Sequence, residues 1–282
     1  MGPCRRYHGS ALRRADRAAE RRARAGVKFP FRRQRPVPGL PLPAPGEPTS
    51  AMVVVAHPDD AEFMCGGTVA RWCAEGWDVW YVLATSGDKG TRDLEVDGQY
   101  LAAVREREQR EAGKALGLRE VIFLGHPDGF LVNSHELRGQ VVRLLRRYRP
   151  NVVITWDPFA SRLNHTDHRI IGQATLDAAF PASRDHLYYP RDYAEDGMEP
   201  HRVADLLLAA SASPDYHVDV TAHLGTKLDA LMKHESQIGQ RTREDILKRW
   251  SGKTAHESFR RIHLGSLPGG RSPGDEEQGR TK

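Results

Sequence analysis

The sequence predicts an α/β protein: a single domain on a Rossmann-like, mostly parallel sheet with helices on both faces. Three observations carry this. A short β-branched run, AMVVVA at 51–56, is followed by a helical stretch closed by Gly76. The strand-then-helix succession recurs twice more and ends in a fourth strand at 151–155, and such alternation returns each strand in the same direction beside the last. Finally, 39% hydrophobic and 28% charged residues are the composition of a water-soluble globular chain. No run approaches the roughly 18 apolar residues of a membrane helix.

The elements follow in order. After the strand at 51–56, GGTVARWCAEG at 66–76 reads as a helix, and Asp78–Thr85 as a second strand. A polar loop at 86–98 leads to a helix from Gln99 to Leu116, stopped by Gly117, and then to a strand at Glu120–Leu124. A helix at Ser134–Arg147 and Pro150 precede the fourth strand, Asn151–Thr155. Further on, RVADLLLAAS at 202–211 and HVDVT at 217–221 read as strands, and Ala222–Ile238 as one amphipathic helix.

Both ends of the chain read differently. Residues 1–50 carry twelve Lys/Arg against three Asp/Glu, so residues 51–282, at −4 of the overall +5, are mildly acidic. The first 50 residues therefore read as a basic arm and a Pro-rich linker, 51–265 as the folded domain, and Ser266 onward as a flexible tail. A basic arm with no nucleic-acid-binding fold behind it argues against a nucleic-acid partner. Cys4, Cys65 and Cys73 are too few and wrongly spaced for a disulfide framework or a paired-cysteine zinc site. With no apolar run after the arginine-rich start, the expected location is the cytoplasm.

In open parallel sheets ligands bind beyond the carboxyl ends of the strands. HPDDAE follows the first strand at 57–62, and the fourth leads to NHTDH at 164–168, so both polar clusters fall on that edge. A hydrolytic zinc site needs three ligands, an open position for water and a nearby carboxylate to accept the water's proton. His57 and Asp60 are three apart, so one tight turn brings both to one side, whereas Asp59 points elsewhere. That makes Asp60 the candidate ligand and Asp59 the candidate base. Of His165 and His168 only one is needed as a ligand, and Asp167 can orient one of the imidazoles. Taken singly, HPDD reads as a surface turn whose Asp caps the next helix, and HTDH as an N-cap; their coincidence on one sheet edge favours the metal site. Cys65 reads as a small core residue.

VVVAHPDDAEFMCGGTVARW and NHTDHRIIGQATLDAAF together resemble the PIG-L/LmbE-like N-deacetylases, and the resemblance extends over roughly 51–240. It continues in Arg105, Glu108 and Gln109, in FLGHPDG at 123–129 and in KLDALMKHESQ at 227–237. It implies one zinc per chain on His57, Asp60 and His168, with Asp59 as general base. It further implies that His165 stabilises the oxyanion or protonates the leaving amine, that Asp167 supports it, and that Arg105 and Asp128 hold sugar hydroxyls. The reaction implied is hydrolysis of the acetamide of an N-acetylglucosamine-containing small molecule. Here Ala61 separates the two aspartates from Glu62, and Thr166 stands where proline is common.

The alternatives are a related zinc amidase, acting on a thiol conjugate or tailoring a natural product, and a non-catalytic module using the basic arm. Ferrous iron is the alternative metal at a His/His/Asp site. Residues 86–98 and 181–200 are the expected pocket walls.

Overall fold

The structure, a computed structural model, describes residues 49–160, 164–248 and 255–265. The expected tail and all of the basic arm but its last two residues lie outside these.

The first half alternates as expected. β1 (Ser50–Val55), α1 (Asp60–Ala74), β2 (Asp78–Leu83), α2 (Gly98–Leu116), β3 (Glu120–Phe123), α3 (His135–Tyr148), β4 (Val152–Trp156) and α4 (Thr166–Asp177) follow one another. Local chemistry sets several ends: Asp97 and Ser134 cap α2 and α3 by accepting from Tyr100 and Leu137 backbone N–H groups, and Gly117 closes α2 at φ 87°. After a short helix, α5 (Pro190–Ala194), come β5 (Asp205–Ala209), β6 (Tyr216–Asp219), α6 (Leu224–Leu231), α7 (Glu235–Ile238), α8 (Arg243–Leu247) and β7 (His256–His263).

The seven strands form one sheet in the order β3-β2-β1-β4-β5-β7-β6. β3 to β5 are parallel, and β7 is antiparallel to both β5 and β6. The pleat of β1 separates two apolar layers. Ala51, Val53 and Val55 meet Val69 and Trp72 of α1 and Ala112 and Leu116 of α2. Met52 and Val54 meet Leu137, Val141 and Leu145 of α3 and Ile171 of α4. Helices thus cover both faces. Among the described residues no helix is long and apolar enough to cross a membrane.

Three elements differ from expectation. α1 begins six residues early and kinks at Cys65 (φ −146°), so the glycine pair opens only its second half. The amide groups bared by that kink, on Gly67 and Thr68, donate to Glu257 at 2.9 and 2.6 Å. The single helix expected over 222–238 is broken between α6 and α7, at the fully buried His234. β7 had no sequence signal because its inward positions are partly charged: Glu257 pairs with Lys227 at 2.6 Å and Arg261 with Asp205 at 2.8 Å, either side of buried Phe259.

Candidate active site

β1 and β4 are neighbours whose following connections run to opposite halves of the sheet, which opens a crevice at their carboxyl ends. Both polar clusters of the sequence meet there. Gly172 lets α4 come close, since a Cβ there would strike the Trp156 carbonyl at the end of β4. One turn earlier, His168 lies flat on the Trp156 indole.

Neither of the paired aspartates caps α1. Asp60 turns back, and its Oδ2 accepts from the amide groups of His57 (2.9 Å) and Ala56 (3.2 Å) and from Trp156 Nε1 (3.3 Å). Its Oδ1 lies 3.1 Å from His168 Nε2, and His57 Nδ1 lies 3.5 Å from Oδ2. Asp59 occupies the N-cap position at φ 86°, in the left-handed region, and makes no capping bond. Its carboxylate lies 3.6 Å from Arg105.

The outer nitrogens of both imidazoles are anchored. His57 Nε2 meets Asp128 at 3.0 Å and Asp167 at 3.3 Å. Asp167 in turn accepts from the Gly129 and Leu131 amides at 2.7 and 3.2 Å, and Asp128 from the Lys89 amide at 2.9 Å. His168 Nδ1 lies 3.0 Å from Asn164 Oδ1. His165, exposed at the entrance to α4, accepts the Asp167 amide on Nδ1 at 3.2 Å, with its ring 4.8 Å from that of His57.

Among the described residues, two donor groups could hold a metal ion: His57/His165/His168 and His57/Asp128/Asp167, each with ligand atoms within 4.8 Å of one another. Asp60 lies against His57 and His168. Imidazole and carboxylate donors whose far sides are already hydrogen-bonded fit a zinc- or iron-type ion.

Arg105 and Asp128, for which the resemblance implies a hold on sugar hydroxyls, are bonded within the protein. Arg105 is 4% exposed and donates to the carbonyls of Pro58 (2.6 Å) and Gly87 (2.8 Å). Asp128, 5% exposed, holds His57 and the Lys89 amide. Both brace the site. Of the two expected pocket walls, 86–98 borders it through Gly87 and Lys89. The segment 181–200 is tied to Arg143, Arg146 and Arg149 in the C-terminal half of α3, and Tyr189 reaches back to the His135 carbonyl at the start of that helix. Cys65 belongs to the core, as expected.

Charge is unevenly held. Burial acts to lower His57, but hydrogen bonds to Asp128, Asp167 and Asp60 outweigh it and push it up to about 11. Burial acts to raise Asp60, yet hydrogen bonds from His168 and His57 keep it far below the usual carboxylate range. Burial, then the charge of Asp60, raises Asp59 to about 7 against the pull of Arg105. His165 is lowered by burial and then by the charge on His57.

Sequence reasoning left Trp156, Asn164 and His234 without roles. The strand-end rule that located His57 applies equally to Trp156, which directly follows the expected fourth strand.

A family model described as GlcNAc-PI de-N-acetylase (PIG-L) matches residues 52–179. The diacetylchitobiose deacetylase of Thermococcus kodakarensis is 32% identical over 71% of this chain and 72% of its own. The chain belongs to the PIG-L family. Another relative, the 1D-myo-inositol 2-acetamido-2-deoxy-alpha-D-glucopyranoside deacetylase of Saccharomonospora viridis, is 35% identical over 66% of this chain and 84% of its own. Among solved structures, N,N'-diacetylchitobiose deacetylase from Pyrococcus horikoshii superposes with a TM-score of 0.70 at 27% identity, over 88% of this chain and 92% of the other.

Proposed function

We propose that this PIG-L member is a zinc-dependent N-deacetylase that hydrolyses the acetamide of an N-acetylglucosamine-containing conjugate to a free amine and acetate. The observation that carries the reading is the divided pair of aspartates, Asp60 directed at His57 and His168, and Asp59 making no capping bond to the helix and lying against Arg105. The named activities of the relatives on acetylated amino sugars support the substrate class.

His57, Asp60 and His168 would hold the metal. When bound, zinc would polarise the acetamide carbonyl and bring the attacking water's pKa towards about 7. Asp59, raised to about 7, is matched to take that proton at neutral pH. The water oxygen adds to the carbonyl carbon and leaves an oxyanion. His165 is neutral at pH 7 by the direction of its shift, and its Nδ1 accepts the Asp167 amide, so its proton sits on Nε2. That N–H would donate to the oxyanion. Asp59 then returns its proton to the departing nitrogen as the carbon–nitrogen bond breaks, releasing acetate.

Cys65 and Cys73 are unpaired thiols, which supports a reducing, cytoplasmic setting. The test is metal analysis joined to amine release on a panel of N-acetylglucosamine conjugates. Asp60→Ala and His168→Ala are expected to lose the metal, and Asp59→Asn to keep it while losing turnover. Metal loss in Asp59→Asn with retention in Asp60→Ala would overturn the assignment.

A further inference from the structure

Asp59 holds a backbone conformation that L-residues rarely adopt, at a helix entrance where an extended conformation with a capping side chain is the usual solution. Something must hold it there. On either side of the residue the peptide groups are gripped: Arg105 takes the Pro58 carbonyl at 2.6 Å, and the Asp59 carbonyl accepts from Phe63 N–H at 3.1 Å. The Asp59 amide itself donates to Gln109 Oε1 at 3.0 Å.

Gln109 is fully buried and can act only one way round. Its Nε2 donates to Glu62 Oε1 at 2.7 Å, and a flipped amide would set donor against donor at Asp59 and acceptor against acceptor at Glu62. The second oxygen of Glu62 lies 3.2 Å from His234 Nε2, and neither side chain is exposed. His234 sits in the break between α6 and α7, where its carbonyl accepts from the amides of Gln237 and Ile238 at 2.9 and 2.8 Å. The helix break thus leads, contact by contact, to the Asp59 peptide.

We propose that Gln109, oriented by Glu62 and His234, is a positioning residue: it holds Asp59 in its left-handed conformation and so keeps the carboxylate off the helix and available to the attacking water. This rests on the reading of Asp59 as the proton acceptor. Loss of Gln109 would let Asp59 relax towards an ordinary N-cap, which moves the base without touching the metal ligands or the substrate. Its signature is therefore in kcat rather than KM.

The experiment compares Gln109→Leu, Gln109→Glu, Glu62→Gln, the exchange pair Gln109→Glu with Glu62→Gln, and Asp59→Asn. Each is assayed for metal content, for melting temperature and for kcat and KM well below melting. Gln109→Leu is expected to keep its metal and its KM while kcat falls roughly 100-fold, the scale of a small displacement of a reacting group. Gln109→Glu faces Glu62 with a second carboxylate, falls likewise, and serves where the leucine variant does not fold. In the exchange pair an acceptor again meets the Asp59 amide and a donor again spans the two side chains, so kcat recovers at least tenfold over Gln109→Glu. Parental kcat in a folded Gln109→Leu, or a loss confined to KM, or failure of the exchange pair to recover, overturns the proposal. If Asp59→Asn is inactive while Gln109→Leu keeps parental kcat, the positioning role alone falls. Parental turnover in Asp59→Asn brings down the reading of Asp59, and this inference with it.

Discussion

The indole of Trp156 lies flat on the imidazole of His168, ring centroids 4.1 Å apart and planes within 6°, and its Nε1–H reaches Asp60 at 3.3 Å. One side chain at the end of β4 thus orients two of the three proposed ligands. Trp156→Ala removes both constraints, and the expected result is metal affinity about 10- to 100-fold weaker. Trp156→Phe keeps the stacking face and loses only the donor, so its loss is smaller. Competition with a chelator measures both; affinity unchanged in Trp156→Ala would show that the stacking does no orienting.

His57 titrates far above its ordinary range in the metal-free site, pushed up to about 11 by its three carboxylate neighbours against the effect of burial. Its ring is therefore cationic at pH 7, and a metal can take Nδ1 only by displacing that proton. The sign follows: metal affinity rises with pH across the neutral range, by about tenfold per pH unit for one proton released. Calorimetry of metal binding in buffers of different ionisation enthalpy reads the proton directly. Binding without proton release would contradict the charge assigned to His57.

Arg146, 2% exposed, donates to the carbonyls of Ala182, Asp185 and Tyr188 at 3.0, 3.0 and 2.8 Å, and to those of Ser183 and Tyr189 at 3.3 and 3.2 Å. Asp192 lies 3.5 Å away. Arg146→Met strands this set of acceptors and is expected to cost about 3 to 5 kcal/mol of stability. Because Arg146 touches neither Asp59 nor any of the proposed ligands, kcat of the folded fraction should be parental. Urea denaturation and steady-state kinetics on one preparation separate the two effects.

Gly87 has φ 67°, and a Cβ on it would strike the Arg105 guanidinium. Gly87→Ala therefore combines a left-handed L-residue, about 1 to 2 kcal/mol, with displacement of Arg105 from its seat between the Pro58 and Gly87 carbonyls. A lower melting temperature and a kcat reduced about tenfold are expected. A variant that melts lower yet turns over at the parental rate would separate Arg105 from the aim of Asp59.

Much of this was legible in the chain. Strand and helix periodicities over 51–177 reproduce the observed order, because the strands and the helices flanking them bury apolar residues in the two layers about β1. The clusters at 57–60 and 165–168 follow strand ends, and the parallel topology brings strand ends together. What escaped detection has partners distant in sequence: β7 hides its pattern behind Glu257 and Arg261, whose charges are met by Lys227 and Asp205, and the helix break at His234 answers to Glu62.

By itself, then, the sequence determined the alternating fold and the edge of the sheet on which both polar clusters fall, since these follow from periodicity and from the parallel return of the strands. The tertiary structure decided which groups orient His57 and His168 and that Arg105 and Asp128 are bonded into the frame of the site. Most of those outcomes depend on partners tens of residues apart, and only the packed sheet brings such partners within hydrogen-bonding distance.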